Sequence, residues 1–520
     1  MKNEPLILAY DCGTQSTRAI LFNKNGDIIG KCKIPFEPYF SLREGWAEQH
    51  ADVYWQKLIE ATQTLKEQHT ERWNDIAAVS VTTMRDCCVC VDKNGEALRP
   101  IILWLDRREA TPIKLPFKNK LIFKLVGMYE PMVKQSMVTA SNWIKEYEPE
   151  IWQKTYKYLM FSGYMNYKLT GKMVESVASM IGHLPFDYKK KEWMTPNSLT
   201  FPAFAIEKEK LCELVEPGSV IGTITKEAAE QTGLPEGVPL IAAGSDKGCE
   251  TLGTGCTGDG CASLSFGTTA TIQFTTDKYV EPLTFMPAYP AMIKGKYNPE
   301  TQIFRGFWMV TWFKNEFAHK EEIEAKRLGV TPEALLDKML ADIPAGSNGL
   351  MLQPYWSPSL KAPEARGAII GFSDKHTKAH IYKAIIEGIG YGLVEGLREM
   401  ERRAKYNIKF LTVSGGGSNS DAICQITADM FGLPVKRVQT YETSGLGAAM
   451  IGFVGVGEFN DIYEAQESMV HYTDEFYPNE ENHKIYMLMY ERVYKKMYKR
   501  VQPLYGEIKQ ITKLIEEDIQ

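Results

Sequence analysis

Two Gly-Thr pairs close short apolar runs in this sequence: Asp11-Cys12-Gly13-Thr14 after residues 6–9, and Gly267-Thr268-Thr269 after residues 262–266. Glycine lets backbone N–H groups come close to an oxygen, and threonine adds a hydroxyl donor. Two such turns, one in each half of the chain, suit a site that holds a polyphosphate from both sides. Either one alone reads more readily as a plain hairpin. A third glycine element, Ser414-Gly415-Gly416-Gly417-Ser418, follows the apolar run 410–413 and precedes a helix predicted to start near Asn419 or Ser420. A strand that enters a glycine loop opening a helix handles phosphates or nucleotides.

Carboxylates stand beside these turns. Asp11 follows an apolar strand and precedes glycine, which places it at a strand end, where it could hold Mg²⁺ directly or through water, or cap the turn. In Ile241-Ala242-Ala243-Gly244-Ser245-Asp246-Lys247-Gly248 a buried strand ends in glycine and a carboxylate follows. Asp246 is the best candidate for a general base that takes a proton from an attacking hydroxyl; an N-cap for a helix beginning near Lys247 is as good a reading on spacing alone. Arg85-Asp86 lies in a β-rich stretch, 79–91, where adjacent charges are unusual. The pair offers donors and acceptors to a polyhydroxylated ligand, or forms a salt bridge at a strand end. Trp46 and Trp104 could wall a carbohydrate pocket or belong to the core.

The elements that must position these residues alternate between helix and sheet. Strands are predicted over 6–9, 17–22 and 27–34, with Asn25-Gly26 turning the chain between the last two. A helix over 52–68 and β-structure over 76–91 follow, as in a layered α/β domain. The strand–turn–strand design recurs over 262–275, and an amphipathic helix is predicted over 380–403. With 520 residues, about two large domains with a cleft between them, where small ligands usually bind, are expected. The glycines at 253, 255, 258 and 260 place the boundary near 254–260 and suggest a hinge. The resulting division is 1–256, 257–460 and a helical extension over 461–520.

The 60 Lys+Arg against 65 Asp+Glu, a formal net charge of −5, point to neither nucleic acid nor an anionic membrane as partner. The run 6–9 is too short for a signal peptide or a span, so a cytoplasmic location is expected. Ten cysteines without framework spacing read as reduced core thiols.

In one order along residues 6–457, these segments resemble the FGGY carbohydrate kinases of the actin-like, ribonuclease-H-like ATPase superfamily. Asp11-Cys12-Gly13-Thr14-Gln15-Ser16 and Phe266-Gly267-Thr268-Thr269 are similar to its phosphate motifs. Gly45-Trp46-Ala47-Glu48-Gln49 resembles its Gly-Trp-x-Glu segment, and residues 99–108 its Arg-Pro…Trp-x-Asp-x-Arg stretch. Ala243-Gly244-Ser245-Asp246 matches the region of the catalytic aspartate, residues 414–420 the adenosine motif, and residues 442–449 the stretch after it. Ala140 and Ser357-Pro358-Ser359-Leu360-Lys361 depart from the family pattern. The resemblance implies two ribonuclease-H-like domains and ATP-dependent phosphorylation of a sugar or polyol hydroxyl, with Asp246 as base and Asp11 at Mg²⁺. It implies a nucleotide held by Thr14, Gln15, Arg18, Gly267, Thr268, Gly415, Gly416, Gly417 and Asn419, an acceptor held by Arg85, Asp86 and Trp104, and a homodimer. Thr83-Met84-Arg85-Asp86 resembles the Arg-Glu pair of glycerol and autoinducer-2 kinases, which favours a linear polyol or open-chain ketose. The alternatives are a xylulokinase-like ketopentose kinase and an actin-like ATPase or sugar sensor that transfers nothing.

Overall fold

The computed structural model describes residues 4–258, 260–356 and 364–519; the departure at 357–361 lies outside the described residues. The chain divides into two compact units. One comprises Met1–Thr257, Pro287–Asn298 and Glu442–Val470, and the other Gly258–Met286, Pro299–Tyr441 and His471–Gln520. The first crossing falls in the glycine-rich stretch. The two later returns to the first unit follow from tertiary packing and leave no mark in composition.

The first unit is built on a six-stranded sheet ordered Val220–Thr223, Pro239–Ile241, Ile76–Thr83, Leu6–Cys12, Ser16–Phe22, Ile28–Pro35. Leu6–Cys12 runs antiparallel to Ser16–Phe22 and parallel to Ile76–Thr83. Strand side chains alternate between faces. Leu6, Leu8 and Tyr10 therefore join one core with Tyr54, Leu58 and Leu65 of the helix Ala51–Gln68, while Ile7 and Ala9 join another with Leu446, Ala449 and Phe453 of the helix Thr443–Gly455. A strand buried on both faces needs the continuous apolar run seen at 6–9.

On the second of these faces, the helices Asp246–Gly253 and Thr443–Gly455 touch through glycine. A Cβ added at Gly253 would strike the Thr443 carbonyl, and one at Gly447 the Cys249 carbonyl. This close approach sets the position of the helix that begins at Asp246. Gly447→Ala is expected to destabilise the protein by about 1–3 kcal/mol through overpacking, read as a lower denaturant midpoint, and to reduce turnover; an unchanged midpoint would show the contact to be slack.

The second unit is also built on a six-stranded sheet, listed here from the edge that corresponds to Ile28–Pro35: Glu300–Ile303, Ala270–Gln273, Cys261–Phe266, Phe410–Ser414, Val435–Val438, Tyr472–Phe476. Counted from Ile28–Pro35 in the first sheet and from Glu300–Ile303 in the second, the successive pairs are antiparallel, antiparallel, parallel, parallel and antiparallel in both. The helix Lys378–Ala404 packs along Ala270–Gln273 and Glu300–Ile303, burying Ile385, Ile389, Leu393 and Leu397. The segment expected to be a helical extension supplies more than helix. Ile462–Met469 belongs to the first unit, Tyr472–Phe476 is a sheet strand of the second, and only then do the helices Glu480–Met489 and Lys495–Ile519 follow. All ten cysteines are free thiols, nine of them buried. Among the described residues no helix is long and apolar enough to cross a membrane.

Candidate functional site

The residues singled out above fall into two sets, one in each unit. In the first unit, Asp11 lies at the end of the strand Leu6–Cys12, as expected, on the face that Ile7 and Ala9 share. Its register partner is Arg18, whose Nη1 donates to Asp11 Oδ2 at 2.5 Å. Arg18 Nε also lies 3.5 Å from Glu442 Oε2, and Lys31 Nζ reaches Glu442 Oε1 at 2.9 Å. Burial pushes the Asp11 carboxyl up from 3.8 to about 6; Arg18 opposes this, while the negative charges of Asp246 and Glu442 add to it. The buried Asp11 carboxylate, with these negative charges near it, makes a site that a cation would relieve.

Asp246 is the first residue of its helix. The N-cap is Ser245, whose Oγ accepts from Gly248 N at 3.3 Å. The N-cap is thus its neighbour, while Asp246 Oδ1 accepts from the Lys247 N–H in the first turn at 2.7 Å. The helix is brought into place by Thr82, whose hydroxyl donates to the Gly244 carbonyl at 2.9 Å, and by Ser444, whose hydroxyl donates to the Asp246 carbonyl at 3.2 Å. The Asp246 side chain remains 33% exposed, and its Oδ1 lies 3.6 Å from Arg85 Nε. Burial by the surrounding protein holds its carboxyl above the ordinary aspartate value, against the pull of Arg85 and Lys247.

Arg85 and Asp86 do not pair with each other in a strand. They occupy the break between Ile76–Thr83 and Cys88–Val91, where Asp86 has a left-handed φ of 53°. That conformation costs a non-glycine residue energy and sends adjacent side chains apart. Arg85 turns to Asp246 and lies over the Tyr289 ring, 5.2 Å from its centroid. Asp86 turns to His183.

Trp104 is 42% exposed, and its Nε1 donates to Thr14 Oγ1 at 3.0 Å. Gln15 is exposed in the same turn. Beneath Trp104 lies a buried charged lattice made from the two motifs around Trp46 and Trp104. Arg99 and Arg108 both donate to Glu48 Oε1, at 2.5 and 3.0 Å. Arg108 also reaches Asp106, whose Oδ2 accepts from Ala47 N at 2.6 Å. Trp46 is part of this lattice, stacked 3.9 Å from the Arg108 guanidinium and edge-on to Trp143. It serves as support and not as the wall of a pocket, because a buried Arg needs its carboxylates and ring faces to offset desolvation.

In the second unit, the turn Gly267-Thr268 and the glycine loop lie together. Gly415, at φ 79°, backs onto the Phe266 main chain, where an added Cβ would sit 2.9 Å from the Phe266 carbonyl carbon. Phe307 packs on Phe266 with centroids 4.8 Å apart, and its N–H donates to the Gly267 carbonyl. After Ser414 the chain makes a short turn, Gly416–Asn419, and the helix starts close to where the sequence placed it, at Asp421 with Ser420 as its cap. Thr268, Gly416 and Asn419 are exposed, so backbone N–H groups and small polar side chains are presented outward, as phosphate or nucleoside binding requires.

Sequence reading missed Glu442 as a partner of Arg18, and it missed Gln135 and His183 altogether. Glu442 stood in a quoted motif without a role, since a glutamate at a helix start reads as a cap. His183 and Gln135 had no signal at all: they lie 97 and 48 residues apart in sequence from the groups they meet.

Residues 6–253 match the N-terminal domain, and residues 262–456 the C-terminal domain, of the FGGY family of carbohydrate kinases. The chain is similar to a protein named uncharacterized sugar kinase YgcE of Escherichia coli K12, 29% identical over 95% of this chain and 93% of that protein. It is similar also to the xylulose kinase of Bacillus subtilis 168, 28% identical over 98% and 99%. Its fold resembles the ligand-bound xylulose kinase structure from Lactobacillus acidophilus, with a TM-score of 0.81 at 21% identity, covering 97% of this chain and 100% of that one. With both halves matched in order and the duplicated α/β sheets in place, the chain belongs to the FGGY family of carbohydrate kinases, phosphotransferases that act on sugar hydroxyl groups with ATP as phosphate donor.

Proposed function

We propose that this kinase phosphorylates a hydroxyl of a linear polyol or an open-chain ketose, with Asp246 as general base. One observation carries the reading: Asp246 is a reachable carboxylate, held above the ordinary aspartate range, with the N-cap position filled by Ser245 and with Arg85 beside it. A base whose affinity for protons is raised by burial accepts the hydroxyl proton more readily as the oxygen attacks phosphorus. Arg85, Asp86 and Trp104 hold the acceptor, the guanidinium and carboxylate supplying donors and acceptors for several hydroxyl groups. Thr14, Gln15, Arg18, Gly267, Thr268, Gly415, Gly416, Gly417 and Asn419 are the residues assigned to ATP, through backbone N–H groups and polar side chains.

Among the described residues no group of three His, Cys, Asp or Glu side chains forms a ready metal cage. A magnesium ion that arrives with a nucleotide needs none, because it keeps several waters and takes one or two carboxylates besides phosphate oxygens. Asp11 fits that requirement. It is nearly buried, tethered by Arg18, and burdened by two neighbouring negative charges. When bound there, the ion would neutralise charge on the phosphate oxygens.

Similarity to the Bacillus subtilis xylulose kinase favours a ketopentose among open-chain ketoses, whereas the Arg85-Asp86 pair favours a polyol. A coupled ADP-release assay with ATP and Mg²⁺ against glycerol, erythritol, xylulose, ribulose and gluconate decides between them. ADP release stimulated by a ketose or polyol is the expected outcome; stimulation by gluconate alone would overturn the assigned acceptor class.

A further inference from the structure

The turn that holds Asp86 is gripped by a segment far along the chain. Asp86 N–H donates to the Ile181 carbonyl at 3.0 Å. Its Oδ1 accepts from His183 N–H at 2.8 Å, and its Oδ2 lies 2.7 Å from His183 Nδ1. One residue therefore takes both oxygens of the carboxylate. Between them, Gly182 leaves no room for a side chain, since an added Cβ would come within 2.5 Å of Asp86 Oδ1. On its far side, His183 Nε2 lies 2.7 Å from Gln135 Oε1, in the helix Tyr129–Val138. The grip is only half-buried: the Asp86 side chain is 31% exposed and that of His183 27%. A carboxylate has about four lone-pair sites. His183 occupies two of them, one on each oxygen, and this leaves one on each oxygen for a ligand.

From this geometry we infer that His183 is a positioning residue of the acceptor site. It clamps Asp86 through both oxygens and so presents the free lone pairs to two adjacent hydroxyl donors of the acceptor, a vicinal diol. The inference rests on the reading of Asp86 as an acceptor-binding residue. The donor to Oδ2 must be Nδ1–H, and Gln135 can serve Nε2 in either state, accepting from an N–H through its carbonyl or donating to a bare nitrogen through its amide. Burial by itself would depress the imidazole, but the charge and hydrogen bond of Asp86 outweigh it and hold His183 above the ordinary histidine value.

The test uses His183→Leu, His183→Asn and His183→Gln, together with Asp86→Asn and the double variant H183L/D86N, assayed with the acceptor found in the ADP-release panel. Asparagine can place an N–H donor where Nδ1 stood, whereas glutamine places it where Nε2 stood. H183L is expected to raise the acceptor KM about tenfold or more, while kcat and the KM for ATP change by less than about threefold. H183N should restore most of the loss and H183Q should not. In the D86N background H183L should add nothing further, because the clamp has no carboxylate to hold. The inference is overturned if H183L leaves the acceptor KM unchanged, if it raises KM equally in the D86N background, or if H183N is as poor as H183Q. Should H183L fail to fold, the comparison of H183N with H183Q decides by itself. If D86N leaves the acceptor KM at the wild-type value, Asp86 does not bind the acceptor, and the reading falls together with the inference; if D86N raises KM and H183L does not, the inference alone falls.

Discussion

Asp246→Ala is expected to lower kcat by roughly 10²–10⁴-fold, the range for loss of a general base, while ATP binding and the folded structure persist. The structural reason for expecting intact folding is that Ser245 holds the N-cap, so removal of Asp246 costs the helix only the bond its Oδ1 accepts from the Lys247 N–H. Its own charge is disfavoured by burial, and a group held in its charged form against desolvation gives the fold no net support at neutral pH. The pH dependence has a fixed sign. The base acts only when ionised, so kcat/KM falls as pH is lowered, and burial displaces that acid limb above the ordinary aspartate value of 3.8. Kinetics for the variant, with nucleotide binding measured by calorimetry, check this; turnover near the wild-type rate would remove Asp246 from the role of base.

Asp11→Asn is expected to separate stability from function. A carboxyl raised to about 6 in the folded protein contributes stability only when protonated; that contribution is complete below the unfolded value and is lost as pH rises through about 6. At neutral pH the ionised Asp11 therefore opposes folding, by at most ~3 kcal/mol. Asparagine removes that charge, so the variant should unfold at a higher temperature than wild type at pH 7.5 and at the same temperature at pH 4. Turnover should nevertheless fall by at least the ~10–100-fold that disturbing a metal ligand's support already costs, and the dependence of nucleotide binding on Mg²⁺ should weaken. Unaltered Mg²⁺ dependence in binding titrations would exclude Asp11 as the residue that holds the ion.

Local pattern was enough for much of the framework. The apolar runs 6–9, 262–266 and 410–413, the Asn25-Gly26 turn and the 3.6-residue periodicity along 380–403 are short-range signals. They led to strands and a helix close to those observed, Leu6–Cys12, Cys261–Phe266, Phe410–Ser414 and Lys378–Ala404, because backbone sterics and one buried face act within a few residues. The family resemblance likewise needed only linear order. What local pattern misjudged was detail at element ends. Asp11 was read at the end of a strand spanning 6–9, and pairing with Arg18 and Thr82 carries that strand on through Cys12. Asp246 was read as an equal candidate for a cap because an Asp and a Ser there have the same capping chemistry, and only the backbone geometry assigns that job to Ser245.

The sequence by itself determined the composition of each motif, the periodicity of the strands and helices, and the duplicated strand–turn–strand design. Tertiary structure alone decided which charged groups share a space: Glu442 with Arg18 and Lys31, Asp246 with Arg85, and Asp86 with His183 and Gln135. The reason is physical. Hydrogen bonds and ion pairs act over a few ångströms, whereas the residues that make these contacts lie tens to hundreds of positions apart, and their approach is set by the packing of sheet and helix faces that hold apolar residues out of water.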